Sequence, residues 1–213
     1  DGTVNSNTAT VTFNISGVND DPFVTGLPTL ITLEEDADPL TDPAADDFDL
    51  SSMVINDIDA GSGLLTLRLE ATGGIFDLAA GISFVGNGTN TVTISGTLAE
   101  LNNYIGQSSN IFFITDSNLS GTGAASVSVF LNDNGNTGSG GGTDISAGTI
   151  PINITPVNDA PTDILLDNST VTENESIGTT VGMFSATDPD TGDSFTFTLA
   201  PGTGADDNAS FSI

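Results

Sequence analysis

The sequence predicts an all-β protein, made of β-sandwich domains set end to end with one short helix in the middle domain. Three observations predict it: apolar residues alternate with polar ones, Gly- and Asn-rich turns separate the alternating runs, and one linker motif occurs twice.

Alternation is the broadest of the three. Over residues 8–16, Ala9, Val11, Phe13 and Ile15 point one way while Thr8, Thr10, Thr12 and Asn14 point the other. The same period of two recurs at Leu65/Leu67/Leu69, Val92/Ile94, Val127/Val129/Leu131, Ile150/Ile152/Ile154, Val181/Met183 and Phe195/Phe197/Leu199. Half-buried strands with Thr and Ser on the wet face are the natural reading. Gly86-Asn87-Gly88 and Asn134-Gly135-Asn136 supply turns. Residues 138–142 read as a flexible Gly-rich loop. Such a composition is that of an all-β sandwich. One stretch breaks the pattern: Thr97-Leu98-Ala99-Glu100 forms a capping box, and Leu101, Tyr104 and Ile105 follow at helical spacing. A short helix covering one edge of the sandwich is expected there.

The repeat organises the chain. Val18-Asn19-Asp20-Asp21-Pro22 returns as Val157-Asn158-Asp159-Ala160-Pro161, each copy after an alternating strand and each followed by Asp-x-Asp, at Asp57-Ile58-Asp59 and Asp188-Pro189-Asp190. The proline after each motif favours extended geometry and removes a donor, which suits a taut link between domains. The expected division is therefore residues 1–20 as the closing strand of a preceding domain, 21–159 as a complete long domain, and 160–213 as the first part of a following one. Both ends are expected to cut through domains, with the polypeptide continuing in both directions.

Composition excludes several functions. There are 29 acidic residues against one basic residue, Arg68, for a net charge of −28. Nucleic acid is excluded as a partner, because phosphate binding takes clusters of Lys and Arg. Anionic membrane surfaces are disfavoured for the same reason, and no apolar run approaches the roughly 20 residues of a membrane span. No signal peptide opens the sequence, so any export signal is expected outside it. Without Cys, a small extracellular domain has to be stapled by something other than disulfides, and bound metal is the obvious substitute. With no His, Cys or Lys, the commonest catalytic side chains are missing, and no enzyme is expected.

The acids that recur in order are the candidate ligands. Calcium takes six to eight oxygens at about 2.3–2.6 Å, from carboxylates, amides and main-chain carbonyls. Asp-x-Asp on an extended loop aims two carboxylates at one pole of a sandwich, and the linker Asn-Asp adds two more side chains. Like charges about 4 Å apart repel by roughly 4 kcal/mol at an effective dielectric near 20, so such a group calls for a counter-ion. An all-oxygen set suits calcium over zinc or copper. An EF-hand is excluded: counting from Asp188, the Asp-Gly pair at positions five and six is missing and Leu199 stands at position twelve. Glu34, Glu35 and Asp36 form an acidic trio at a strand end, compatible with ligation or with simple solvation. Asp42, Asp46, Asp47 and Asp49 have no counterpart in the repeat and are expected at the surface. Sequons such as Asn87-Gly88-Thr89 and Asn208-Ala209-Ser210 are common in any Asn- and Ser-rich chain and are not read as glycosylation.

Val157-Asn158-Asp159-Ala160-Pro161, Val171-Thr172-Glu173-Asn174 and the run from Ala186 through Asp188-Pro189-Asp190-Thr191-Gly192-Asp193 together resemble the cadherin-like repeats of large bacterial surface proteins and adhesins. The middle domain resembles a longer variant, through Asp57-Ile58-Asp59 and Asn132-Asp133-Asn134-Gly135-Asn136; its helix and length depart from the simple repeat. The resemblance implies seven-stranded Greek-key sandwiches, cadherin-like or Ig-like, with calcium at each junction. It implies Asn19, Asp20, Asp57, Asp59 and Asp133 as ligands at the first junction. At the second it implies Glu34 or Glu35 with Asn158, Asp159, Asp188 and Asp190. Glu173 would serve a third, and Asp1 the loop corresponding to that of Asp133. The expected function is that of a secreted, calcium-rigidified extender in cell adhesion, whose partners are adjacent domains of the same polypeptide. One alternative is the subunit of a surface filament or layer, in which residues 9–15 of one copy complete residues 160–213 of a neighbour by strand addition. A carbohydrate-binding module is the other; with 6% aromatics, one Tyr and no Trp, an aromatic sugar platform is disfavoured.

Overall fold

The computed structural model describes residue 2 and residues 9–36, 47–136 and 139–213. Asp1, Thr8, Asp42, Asp46 and Gly138, which carry expectations above, lie outside them. The chain divides into two compact units, Asp1–Pro156 and Val157–Ile213.

Period-two alternation builds the main sheet of the first unit. Its strands are β2 (Ile31–Glu34), β4 (Leu64–Thr72), β6 (Ser83–Val85), β7 (Thr91–Thr97), β9 (Gly121–Asn132) and β10 (Ile145–Thr155), in the order β2-β10-β9-β4-β7-β6. β2 pairs with β10 in parallel, and the other neighbours are antiparallel. One face of the sheet is buried: Leu65, Leu67 and Leu69 of β4, Val92 and Ile94 of β7, Val127, Val129 and Leu131 of β9, and Ile150, Ile152 and Ile154 of β10. Each such aliphatic side chain contributes about 1.5–3 kcal/mol by leaving water. Thr66, Arg68, Glu70, Ser126, Ser128 and Phe130 project from the other face.

Among the described residues, two short antiparallel ladders accompany the main sheet in the first unit: β1 (Phe23–Thr25) with β3 (Val54–Asn56), and β5 (Gly74–Leu78) with β8 (Ile111–Thr115). They share one hydrophobic core with the main sheet. At its centre Phe76 meets Phe48 and Phe113 edge-on, with ring centroids 5.9 and 5.6 Å away. The turn from β4 into β5 requires Gly73, at φ +76°, because a Cβ there would stand 2.7 Å from Leu119 Cδ2.

The helix α1 (Leu98–Ile105) forms where the capping box predicts it. Thr97 Oγ1 accepts the Glu100 N–H at 3.3 Å, and Glu100 Oε2 accepts the Thr97 N–H at 2.8 Å. The Thr97 N–H and the Thr97 hydroxyl, which donates to the same Oε2 at 2.9 Å, hold the Glu100 carboxyl below its ordinary range. Leu101, Tyr104 and Ile105 enter the core, while Asn102 bonds both the N–H and the C=O of Ile55 at 2.8 and 2.9 Å. The helix thereby covers the edge of β3. Burial, and secondarily the charge of Asp77, push the Tyr104 phenol up to about 12, so its hydroxyl serves as donor beneath the Ala79 and Asn110 carbonyls at 2.6 and 2.9 Å.

In the second unit β11 (Asp163–Leu166) pairs with β12 (Phe184–Thr187) in an antiparallel ladder. Its layout repeats that of β1 and β3: in each ladder the strand after the Asn-Asp linker pairs with the strand just before Asp-x-Asp. An all-β chain with one short helix is thus what the described residues form.

Three alternating stretches form no strand here, one of them residues 181–183, which end just ahead of β12. Residues 195–199 are irregular, and so are residues 9–17. In the latter, Val11, Phe13 and Ile15 are 71%, 83% and 93% exposed, whereas Ile150, Ile152 and Ile154, which occupy the equivalent places before the second linker, are 0%, 0% and 2% exposed. The pattern is the same and the burial opposite, because β10 has β2 and β9 beside it.

Candidate metal centre at the repeated linker

The loop from β9 to β10 carries the most constrained acid of the first unit. Asp133, 2% exposed, accepts the N–H groups of Gly135 and Gly142 on Oδ1, both at 3.0 Å, and the Asn19 amide on Oδ2. Burial works to raise its pKa, but the bonds from Gly135, Asn19 and Gly142 outweigh it and hold the carboxyl below its ordinary range. Asp133 is therefore an anion at neutral pH despite its burial. Gly141 makes the approach of the linker possible. It sits at φ +76°, and a Cβ on it would stand 2.2 Å from Asn19 Nδ2. The Asn19 N–H also reaches the Ser139 carbonyl, at 3.5 Å.

Beside this loop lies the Asp-x-Asp turn. Asp57 Oδ1 accepts the Asp59 N–H at 3.1 Å in an Asx turn, and Asp59 Oδ2 accepts the Asp20 N–H at 3.2 Å. Among the described residues, Asp57 Oδ2 and Asn19 Oδ1 are buried oxygens with no hydrogen-bond donor. The Asp57 carboxyl is pushed up, first by burial and then by the adjacent Asp59 carboxylate. A carboxylate desolvated next to another lacks a positive partner. These orphaned oxygens are all hard donors, and they fit a cation of the calcium type better than a transition metal.

The second linker repeats the geometry within its own unit. Asn158 Nδ2 donates to the Asp159 carbonyl at 2.8 Å, as Asn19 Nδ2 does to the Asp20 carbonyl at 3.2 Å. The Asp159 N–H reaches Asp190 Oδ2 at 2.6 Å, and the Asp190 N–H reaches Asp188 Oδ1 at 3.0 Å. Asp188 Oδ2 is likewise a buried oxygen without a donor. Carboxylate oxygens of Asp188, Asp190 and Asp193 lie within 4.8 Å of one another, a spacing one ion can bridge. Asp193 is the residue the spacing argument passed over. It was visible as the last acid of Asp188-Pro189-Asp190-Thr191-Gly192-Asp193, and an EF-hand frame does not pick it out.

The remaining candidates fall in several places. Glu34 ends β2 and is exposed, and Glu35 follows it, donating its N–H to the Thr155 carbonyl at 3.0 Å. Glu173 is exposed and precedes Asn174, which sits at φ +64°; among the described residues it belongs to no group of three acids at ligating distance. Asp47 corrects the expectation of a surface carboxylate. It is half-buried, and burial, then the charge of Asp49, push its pKa up. Its neighbour Phe48 sinks into the core and takes Asp47 partly with it. Asp49 is exposed and accepts the Ser51 N–H at 2.8 Å. Among the described residues no helix is long and apolar enough to cross a membrane.

No family model matches this sequence, and neither the curated proteins nor the solved structures offer a significant match.

Proposed function

We propose that this chain is a calcium-rigidified structural region of a large extracellular surface protein, cadherin-like in type, in which Greek-key sandwiches follow one another and act as an extender in adhesion. One observation carries the reading: the Asn-Asp linker and the Asp-x-Asp turn adopt the same hydrogen-bonded arrangement twice, in two units of different size. Turn chemistry alone accounts for either copy. It does not account for buried oxygens left without donors in both. Calcium would be held by Asp57, Asp59 and Asp133 with Asn19 and Asp20 at the first linker, and by Asp188, Asp190 and Asp193 with Asn158 and Asp159 at the second. It would supply charge neutralisation and a fixed coordination shell, so that a short proline-bounded linker becomes stiff. The proposal includes no catalysis, since the chain offers no His, Cys or Lys.

The test is metal content together with solution scattering. The purified chain should retain calcium, and chelation should reduce its maximum dimension or broaden its profile. A chain without calcium whose scattering is indifferent to chelator rules the reading out.

A second reading, strand complementation between copies, is favoured by the exposed Val11, Phe13 and Ile15. Counting back from the linkers, they match Ile150, Ile152 and Ile154 of β10, which pairs in parallel with β2. The β2 equivalent in the second unit is Ser169 to Thr172, ahead of Glu173 and the positive-φ Asn174, as β2 stands ahead of Glu35 and the positive-φ Asp36. Residues 11–15 of one copy would add there to a second copy, head to tail. Sedimentation should then reveal concentration-dependent oligomers that Phe13→Asp abolishes; a monomer at all concentrations excludes this reading.

A further inference from the structure

The chain carries one basic residue, and it stands beside the loop that presents Asp133. Arg68 lies on the solvent face of β4, with its guanidinium carbon 4.1 Å from the centroid of the Phe130 ring on β9, the residue directly across from it. It pairs with Glu70 and donates to Asp144 Oδ2 from Nη2 at 2.7 Å and from Nε at 3.2 Å. Asp144 is the last residue before β10. Its other oxygen accepts the Asn132 amide at 2.9 Å, and Asn132 is the last residue of β9. The clasp therefore closes the two ends of the loop on one another. Within it the Gly142 N–H binds Asp133, and the Asn134 and Asn136 amides hold the Leu64 carbonyl at 2.8 and 2.7 Å.

We infer that Arg68 is a positioning residue for the cation site at the first linker, acting through Asp144 to close the loop that presents Asp133 and seats Asn19. The inference rests on the calcium reading above. Considered as a charge, Arg68 opposes a cation nearby, and deleting it should tighten calcium binding a few-fold. Considered as a clasp, it holds a ligand in place, and deleting it should weaken binding. Partners one step removed from a metal ligand commonly alter affinity by about 10–100-fold. The second linker has no Arg or Lys in its unit and serves as an internal reference.

The experiment is a calcium titration of the full chain followed by amide resonances, with Gly135 and Gly142 reporting the first site and Asp190 and Gly192 the second. Arg68→Met keeps much of the packing on Phe130 while removing the charge. Its expected effect is a loss of about tenfold in affinity at the first site with the second unchanged. Arg68→Lys should fall between it and the parent, since an ammonium cannot reproduce the forked contact. Asn132→Ala changes no charge and should weaken the first site in the same direction, which keeps the test open if Arg68→Met fails to fold. Unchanged or tighter binding at the first site in Arg68→Met and Asn132→Ala overturns the inference, as does equal weakening at both sites. Absence of any calcium response in the parent chain is a different result: it removes the calcium reading itself.

Discussion

Residues 9–18 and residues 148–157 have one pattern and two fates. Both alternate apolar with polar residues, both carry an Asn between two apolar neighbours, at Asn14 and Asn153, and both run into Val-Asn-Asp. The later copy is β10, wedged between β2 and β9, with its apolar face in the core; the earlier copy pairs with no strand among the described residues and exposes the same face. Alternation thus encodes which face of a strand is greasy and leaves open what covers it. The linkers that follow behave differently. Their turns close through side-chain-to-backbone bonds spanning one or two residues or a few tens of residues, and both copies form alike.

The sharpest way to break this contrast is to cut the matching residue in each copy. Ile152→Ala should cost about 2–5 kcal/mol, since it opens a cavity in a closed core. Phe13→Ala should leave dilute protein within about 0.5 kcal/mol of the parent. Urea unfolding of the first unit checks both. A comparable cost for Phe13→Ala would mean that residues 9–17 are covered in solution after all.

The same contrast explains what the sequence disclosed. β4, β7, β9 and β10 were legible because each has one dry and one wet face. The helix was legible because Thr97 and Glu100 satisfy one another's backbone locally. β8 was not, because Ile111-Phe112-Phe113-Ile114 is apolar on both faces and has no readable period, and β5 is short and begins with Gly74. At the site, the Asp-x-Asp turns were legible from spacing. The approach of Asn19 to Asp133, 114 residues away, was not; the family resemblance suggested it, and no local pattern could. The clasp of Arg68 on Asp144 was equally silent, since a cross-strand register of that range leaves no mark on either segment.

Next in size is the effect of the cation on the linkers. Calcium at about 100 times the dissociation constant of a site should stabilise its unit by about 2.7 kcal/mol. Scanning calorimetry with and without chelator measures it, and the first unit should respond through Asp133 as well as Asp57 and Asp59. Identical traces would leave the two linkers as plain turns.

A smaller effect separates a strained glycine from one that makes room. Gly141→Ala should destabilise by about 1–3 kcal/mol through its positive φ and also weaken calcium at the first linker, because the new Cβ would collide with Asn19. Gly140→Ala bears comparable strain, at φ +108°, but has open space around its Cβ, so the second effect should be missing. Paired calcium titrations decide it; equal losses of affinity would mean that Gly141 has no special place.

The smallest expected effect is on pH dependence. The Asp57 carboxyl is pushed up in the folded chain, so under chelation the parent should gain stability relative to Asp57→Asn as pH falls through that raised pKa, a gain complete below the ordinary value of 3.8; taking the difference between the two removes Asp133, whose lowered pKa acts with the opposite sign. Bound calcium should cancel this gain, because the proton and the ion compete for the same oxygens. Melting curves between neutral and mildly acid pH, with and without chelator, test the sign.

The most direct measurement is anomalous diffraction from crystals of the chain grown with calcium or a lanthanide in its place. The account predicts peaks at both linkers, within about 2.3–2.6 Å of the Asp57, Asp59 and Asp133 oxygens at the first and of Asp188 and Asp190 at the second. Well-ordered linkers with those same carboxylates facing water and no anomalous signal would contradict it.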